Sequence, residues 1–287
     1  MPKKNTTEKI KPKKLKIGAL ISGGGTNLQA VIDACESGKI DGEMVFVGSD
    51  APGAPGLARG KKHSIPTFVV NYQSFIKDYK NDSKGFKLPL DFKFNEVCAK
   101  QHLFPIDGDP DKIKGKIKDK IKAFFYTRAA AEAKLLAQIA ARPIDLLILA
   151  GFMRNLTPYF IDHFNDKAVV PRIMNIHPAL LPSFPGVDGY GDTFRYGCKV
   201  GGCTVHFIDY GEDSGPIIGQ KSFEILADDT LDIIKKKGLE LEWQLFPECI
   251  QLFAEDRLKV FKITHTRDDS TIYQRSIVKI AKHAENY

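Results

Sequence analysis

The chain has no apolar run near the roughly 20 residues needed to cross a bilayer. Its strongest candidate, Leu146 to Phe152, is short and contains Gly151, so a soluble protein is expected. Cysteine is scarce as well: Cys35, Cys98, Cys198, Cys203 and Cys249 are odd in number and scattered. With no secretion signal ahead of them, they argue against a disulfide framework and point to a reducing cytoplasm. Cys198 and Cys203 form the only close pair, and neither a second pair nor a His follows at zinc-site spacing, so no metal is expected. Net charge is nearly absent beyond the N-terminus, because seven lysines in the first sixteen residues, set against Glu8, supply +6 of the net +7. That segment lacks aromatic residues and hydrophobic periodicity, which favours a disordered solubilising tail over a nucleic-acid or membrane tether.

What is present is a core-forming chain of 287 residues with 43% hydrophobic content, near the upper size for one domain. Lys14 to Ile21 is an apolar run, Ser22-Gly23-Gly24-Gly25-Thr26-Asn27 breaks it, and Leu28, Val31 and Ile32 then recur at helical spacing. Strand, glycine loop and helix follow. Further strands are expected at Met44–Val47, Thr67–Val70, Ile144–Ala150 and Arg172–Ile176, with helices at Ala54–His63 and Ala129–Ala141 between them. This alternation predicts an α/β fold with a mostly parallel sheet. Cys203–Ile208 and Ile217–Phe223 flank the polar turn Asp209–Pro216, while Pro178–Val200 reads as a loop. Leu231–Phe253 reads as a long helix that Pro247 kinks or breaks. Residues 77 to 122 shift towards lysine, aspartate, glycine and proline and read as an insertion. The expected organisation is a basic tail over 1–14, one domain over 15–265 and a C-terminal extension over 266–287.

A glycine turn that opens a helix presents backbone N–H groups to an anion at the positive helix end. Gly23 and Gly25 fill two positions of the dinucleotide fingerprint, but Leu28 takes the third, and only Asp50 beyond the second strand resembles its ribose-binding acid. In Asn175-Ile176-His177-Pro178, alternation turns Asn175 and His177 to the same side of a strand end, where α/β sheets bind ligands. Asp213 stands in a turn that its own chemistry would explain, and Glu212 competes with it for a catalytic role. Arg154 at another strand end offers a guanidinium for a carboxylate, with Phe152, Met153 and Leu156 as apolar lining. Glu242 on the late helix is placed to accept from hydroxyls. His63, His102, His163, His265 and His283 are read as structural, and His206 as a possible neighbour of the site.

Taken in order, Ile21-Ser22-Gly23-Gly24-Gly25-Thr26-Asn27-Leu28-Gln29-Ala30, Leu149 to Arg154, Asn175 to Pro182 and Asp213-Ser214-Gly215-Pro216 resemble the phosphoribosylglycinamide formyltransferases over about residues 15–76 and 123–260. That resemblance implies the formyltransferase fold, a Rossmann-like twisted sheet with helices on both faces and an antiparallel C-terminal part. It also implies transfer of the formyl group of 10-formyltetrahydrofolate to glycinamide ribonucleotide in purine synthesis. Asn175, His177 and Asp213 would be catalytic. Gly25, Thr26 and Asn27 would hold the phosphate and Glu242 the ribose. Arg128, Met153, Arg154, Asn155, Leu156 and Asn175 would line the folate pocket. Small-molecule substrates are implied, with no metal, nucleic acid or membrane partner, and both monomer and homodimer stay open. After Pro185-Gly186 the family usually places a His, whereas this chain continues Val187-Asp188-Gly189-Tyr190-Gly191. Three rivals therefore stand beside the main expectation: formyl transfer to another amine such as an amino sugar nucleotide, a nicotinamide-dependent oxidoreductase, and a non-catalytic ligand-binding protein.

Overall fold

The computed structural model describes residues 13–105 and 115–282. Most of the basic tail, the Asp107–Lys112 run and His283 lie outside these residues. The first strand β1 (Leu15–Ile21) leads through the glycine loop into α1 (Thr26–Glu36). β2 (Gly42–Ser49), α2 (Gly56–Lys62) and β3 (Thr67–Val69) follow, then α3 (Tyr72–Asn81), α4 (Phe94–Lys100) and α5 (Gly115–Ala140). β4 (Leu146–Leu149), α6 (Pro158–Phe164), β5 (Ile173–His177), α7 (Gly189–Tyr196), β6 (Val200–Phe207), β7 (Ile217–Glu224) and α8 (Leu231–Ala254) complete the main body. β8 (Leu258–Thr266) and β9 (Ile272–Ile280) form a separate antiparallel hairpin.

Seven strands lie in the order β3-β2-β1-β4-β5-β6-β7, parallel from β3 to β5 and antiparallel from β5 to β7. Both faces are covered. Ile17, Ala19, Ile21, Leu146 and Ile148 pack with Leu28, Val31, Phe246 and Ile250 of α1 and α8, whereas Leu20, Leu147 and Leu149 pack with Leu135, Ile139 and Phe160 of α5 and α6. Alternate residues of one strand thus serve opposite cores, which is why the central strands read as continuous apolar runs. The chain reverses its winding between β1 and β4, and the carboxyl ends of such strands open a crevice. Here the Ser22 N–H donates to the Gly151 carbonyl (2.9 Å) and the Met153 N–H to Ser22 Oγ (2.8 Å), stitching the two strand ends together.

One open alternative is narrowed and two local expectations are corrected. α8 runs through Pro247 without a break, because Leu245, Phe246, Cys249 and Ile250 on either side are all buried against the sheet. That burial outweighs the roughly 3 kcal/mol cost of an interior proline. The Pro178–Val200 loop contains α7, whose Gly189, Tyr190 and Gly191 are buried. The helix expected from Ala129 begins instead at Gly115, within the 77–122 segment. That segment builds its own apolar cluster, with Phe92, Phe94, Val97, Cys98 and Phe104 packed on Ile121, Phe124, Phe125 and Tyr159. Residues beyond 265 return as β9, and Val260 and Val278 of the hairpin rest on the main core. No helix among the described residues is long and apolar enough to cross a membrane.

Candidate active site

Asn175 and His177 leave β5 on the same side, and β6 runs antiparallel beside them with His206 opposite Asn175. The turn between β6 and β7 brings Asp213 over both. His177 is nearly inaccessible at 2% exposure. Its Nδ1 lies 3.1 Å from Asp213 Oδ2, and its Nε2 lies 2.8 Å from the Phe184 carbonyl oxygen. Both ring nitrogens face acceptors, so the arrangement is complete only when both carry protons. Burial opposes the charged ring, but the Asp213 hydrogen bond and charge, helped by the Phe184 carbonyl, hold its pKa above the ordinary value.

Asp213 meets the converse balance. Burial raises its pKa, yet hydrogen bonds with His177 and His206 and the Gly186 N–H (2.8 Å) bring it well below the usual carboxylate range. His206 is fully buried; its Nδ1 meets the Phe207 carbonyl, and its Nε2 lies 3.2 Å from Asn175 Nδ2 and 3.6 Å from Asp213 Oδ1. Asn175 Nδ2 carries two N–H bonds; one faces His206 Nε2, and the other reaches Asp213 Oδ1 only at 3.5 Å and is weakly held. Asp213, rather than Glu212, faces the histidine. Glu212 lies at the rim, where Asn155 Nδ2 reaches it at 3.4 Å.

Asn175, His177, Glu212 and Asp213 line a cavity of about 510 Å³ that also takes in Asn27, Arg128, Phe152, Met153, Tyr190 and Glu242. Beside one end of it Gly25 caps α1 with φ 67°, the left-handed conformation that favours glycine, and no side chain caps the opening of the helix. Asn27 does not offer its amide to that opening. Its Nδ2 donates to Glu242 Oε2 at 2.6 Å, while its Oδ1 is buried without a partner. Tyr190 Oη donates to the other Glu242 oxygen, also at 2.6 Å, so two donors hold a carboxylate whose pKa burial pushes up. Gly238 makes room for the tyrosine, since a Cβ there would lie 2.1 Å from its ring.

At the opposite end, Arg128 is 9% exposed, with its guanidinium between the Tyr72 and Phe124 rings (5.2 and 4.9 Å) and its Nε unpartnered. Arg154 Nε pairs with Asp50 Oδ2 at 2.5 Å. Asp50 gives one oxygen to an arginine while its Oδ1 is buried without a partner, so neither oxygen is open to solvent as the ribose-binding acid of a dinucleotide site would be. Met153 is half exposed at the mouth.

Of the residues expected at the site, Asn27, Arg128, Met153, Arg154, Asn155, Asn175, His177, Asp213 and Glu242 share this cavity. Gly25 and Thr26 do not line it; Gly25 is the N-terminal cap of α1, and Thr26 faces a separate groove beside Trp243. Leu156 is buried in the apolar core. Tyr190 was not foreseen as a site residue, and its only sequence signal was the departure after Gly186. His63 pairs with Glu36 and His163 with Asp91, in line with structural roles. Among the described residues no group of three or more His, Cys, Asp or Glu is placed to hold a metal.

The formyl transferase family model matches residues 15–250. Phosphoribosylglycinamide formyltransferase of Haemophilus influenzae is 31% identical over 245 residues, 85% of this chain and 90% of that protein. The trifunctional purine biosynthetic protein adenosine-3 of Chironomus tentans is 31% identical over 87% of this chain, which spans only 14% of its length. The crystal structure of glycinamide ribonucleotide transformylase 1 from Symbiobacterium toebii superposes with a TM-score of 0.63 at 31% identity, covering 94% of this chain and 95% of that one. The shared sheet, the matched span and these relatives lead to one assignment: the chain belongs to the formyl transferase family, among its phosphoribosylglycinamide formyltransferases.

Proposed function

We propose that the protein transfers the formyl group of 10-formyltetrahydrofolate to the amine of glycinamide ribonucleotide, within a single catalytic domain spanning residues 15–265 and interrupted at about 77–122. The convergence of Asn175, His177 and Asp213 in one cavity, between an anion-ready helix end and a buried arginine, carries this reading. The Arg128 guanidinium, desolvated and with Nε unpaired, fits the carboxylate of a folate tail. Phe152 and Met153 supply apolar surface to its ring system. At the other end the backbone N–H groups following Gly25 take the phosphate. Asn27 Oδ1 and Glu242 accept from the sugar hydroxyls.

As the amine nitrogen bonds to the formyl carbon, negative charge develops on the formyl oxygen. Asn175 Nδ2 is the available donor, and His177 acts chiefly through its charge because both its nitrogens are engaged. The amine must lose a proton, and the departing folate nitrogen must gain one as its bond to the formyl carbon breaks. Asp213 bridges these positions. Its lowered proton affinity keeps it ionised, so that it holds His177 charged and guides the proton between these positions by way of water.

Parallel turnover assays with glycinamide ribonucleotide and an amino sugar nucleotide, each with the formyl folate, test the substrate. Activity on the former alone is expected; activity on the latter alone would transfer the assignment to it. A narrower prediction concerns Tyr190→Phe, which keeps the packing on Gly238 but removes one donor from the buried Glu242. Removing a hydrogen bond to a charged group costs about 1.5–3 kcal/mol, so KM for the nucleotide should rise roughly 10-fold with kcat little altered. A wild-type KM would show that Glu242 does not need that donor.

A further inference from the structure

The inserted segment touches the turn that carries Asp213. After α4, Gln101 folds the chain on itself, with Oε1 accepting from the Leu103 and Phe104 N–H groups (both 2.8 Å) and Nε2 donating to the Phe104 carbonyl (3.1 Å). The His102 N–H then points outward and donates to the Tyr210 carbonyl at 2.9 Å. A second tie runs through Asp162 of α6: its Oδ2 takes Lys100 Nζ at 2.6 Å, and its Oδ1 accepts from Tyr210 Oη at 2.5 Å. Tyr210 is thus held at its backbone and at its hydroxyl. The holder is itself rigid, since Phe94 and Phe104 pack edge-on against the fully buried Phe125 of α5.

Three residues beyond Tyr210, Asp213 adopts φ 47°, a left-handed backbone that non-glycine residues rarely take. Within the turn, Asp209 Oδ1 accepts from the Gly211 N–H and Ser214 Oγ, which shapes the loop but does not anchor it to the body of the protein. A strained residue persists only where its surroundings over-determine it. We propose that the segment preceding α5, through Lys100 and His102, is a positioning clamp that grips Tyr210 and so holds Asp213 in register with His177. Its kinetic consequence rests on the formyl-transfer reading; its geometric one does not.

The test uses the full-length enzyme with the double variant Lys100→Met/Tyr210→Phe, and Tyr210→Phe alone as the milder change. Two readouts are followed: titration of the His177 ring by NMR in the free enzyme, and steady-state kinetics. The ring faces Asp213 and the Phe184 carbonyl, with Glu242 acting on its charge and His206 behind Asp213, so loosening only the Asp213 contact should bring its pKa down towards the ordinary ~6.5. Turnover should drop roughly 10-fold while KM for the nucleotide stays within about 2-fold, as expected when a reacting group is misplaced but the substrate still binds. Lys93→Met, which breaks only the exposed Lys93–Glu96 pair of the same segment, should change neither. A folded variant with a wild-type His177 titration overturns the clamp, and so does a lowered melting temperature with turnover intact. If the wild-type enzyme shows no turnover on glycinamide ribonucleotide, the functional reading fails, and the His177 titration still decides the clamp.

Discussion

Asp213→Asn should lower turnover by roughly 10²-fold or more, with nucleotide affinity almost unchanged. The carboxylate accepts from the Gly186 N–H and faces both histidines, and an amide in its place can neither carry a proton nor balance the His177 charge. The pH dependence makes the prediction sharper. His177 has a raised pKa in the folded protein, so its charged form persists above the ordinary value and is lost as pH rises through the raised one. Activity that needs the charged ring should therefore fall on the alkaline side, and in the Asn variant that fall should begin at lower pH. The stability contributed by Asp213 has the opposite sense: it is present above the ordinary carboxylate pKa and is lost as pH falls through the lowered one. Near-normal kcat in the variant, or an unshifted alkaline limb, would remove Asp213 from the mechanism.

Gly25→Val should weaken glycinamide ribonucleotide about 100-fold, equivalent to about 2.7 kcal/mol. Two causes act together. Gly25 has φ 67°, where a β-branched residue is a genuine outlier, and an added Cβ would lie 3.2 Å from the Gly56 Cα, a backbone atom that cannot swing aside. The loop is further pinned by the Gly56 N–H on the Gly23 carbonyl and Arg59 Nε on the Gly24 carbonyl, so the strain should be relieved by moving the N–H groups that open α1. Affinity for a folate analogue should hold, because Arg128 is set by the Tyr72 and Phe124 rings and not by this loop. Calorimetric titration with each ligand separates the two, and an unchanged nucleotide affinity would contradict the assignment of the phosphate to this loop.

The two positions also differ in how far they were legible in advance. The loop that holds Gly25 could be read locally, because glycines between an apolar run and a helical repeat mark a turn at a helix start, and the structure adds that Gly25 is the one with positive φ. Asp213 could not, since its own segment is accounted for by turn chemistry and Glu212 stands beside it. That Pro247 does not break its helix was illegible for a related reason: the cost of an interior proline is local, but the burial of Phe246 and Ile250 that overcomes it comes from β-strands far away in sequence.

Local order and periodicity by themselves determined the α/β alternation, the glycine loop, the placement of Asn175 and His177 on one side of a strand end, and, through the order of four segments, the family. Those features depend on residues within a few positions of one another. The tertiary structure alone decided that Asp213 is the carboxylate facing His177, that Asn27 gives its amide to Glu242, that Tyr190 completes that pair, and that Leu156 belongs to the core. Each of these is a contact between distant segments, set by how helices pack across a twisted sheet, and no local pattern encodes which of several polar side chains will arrive within 3 Å of another.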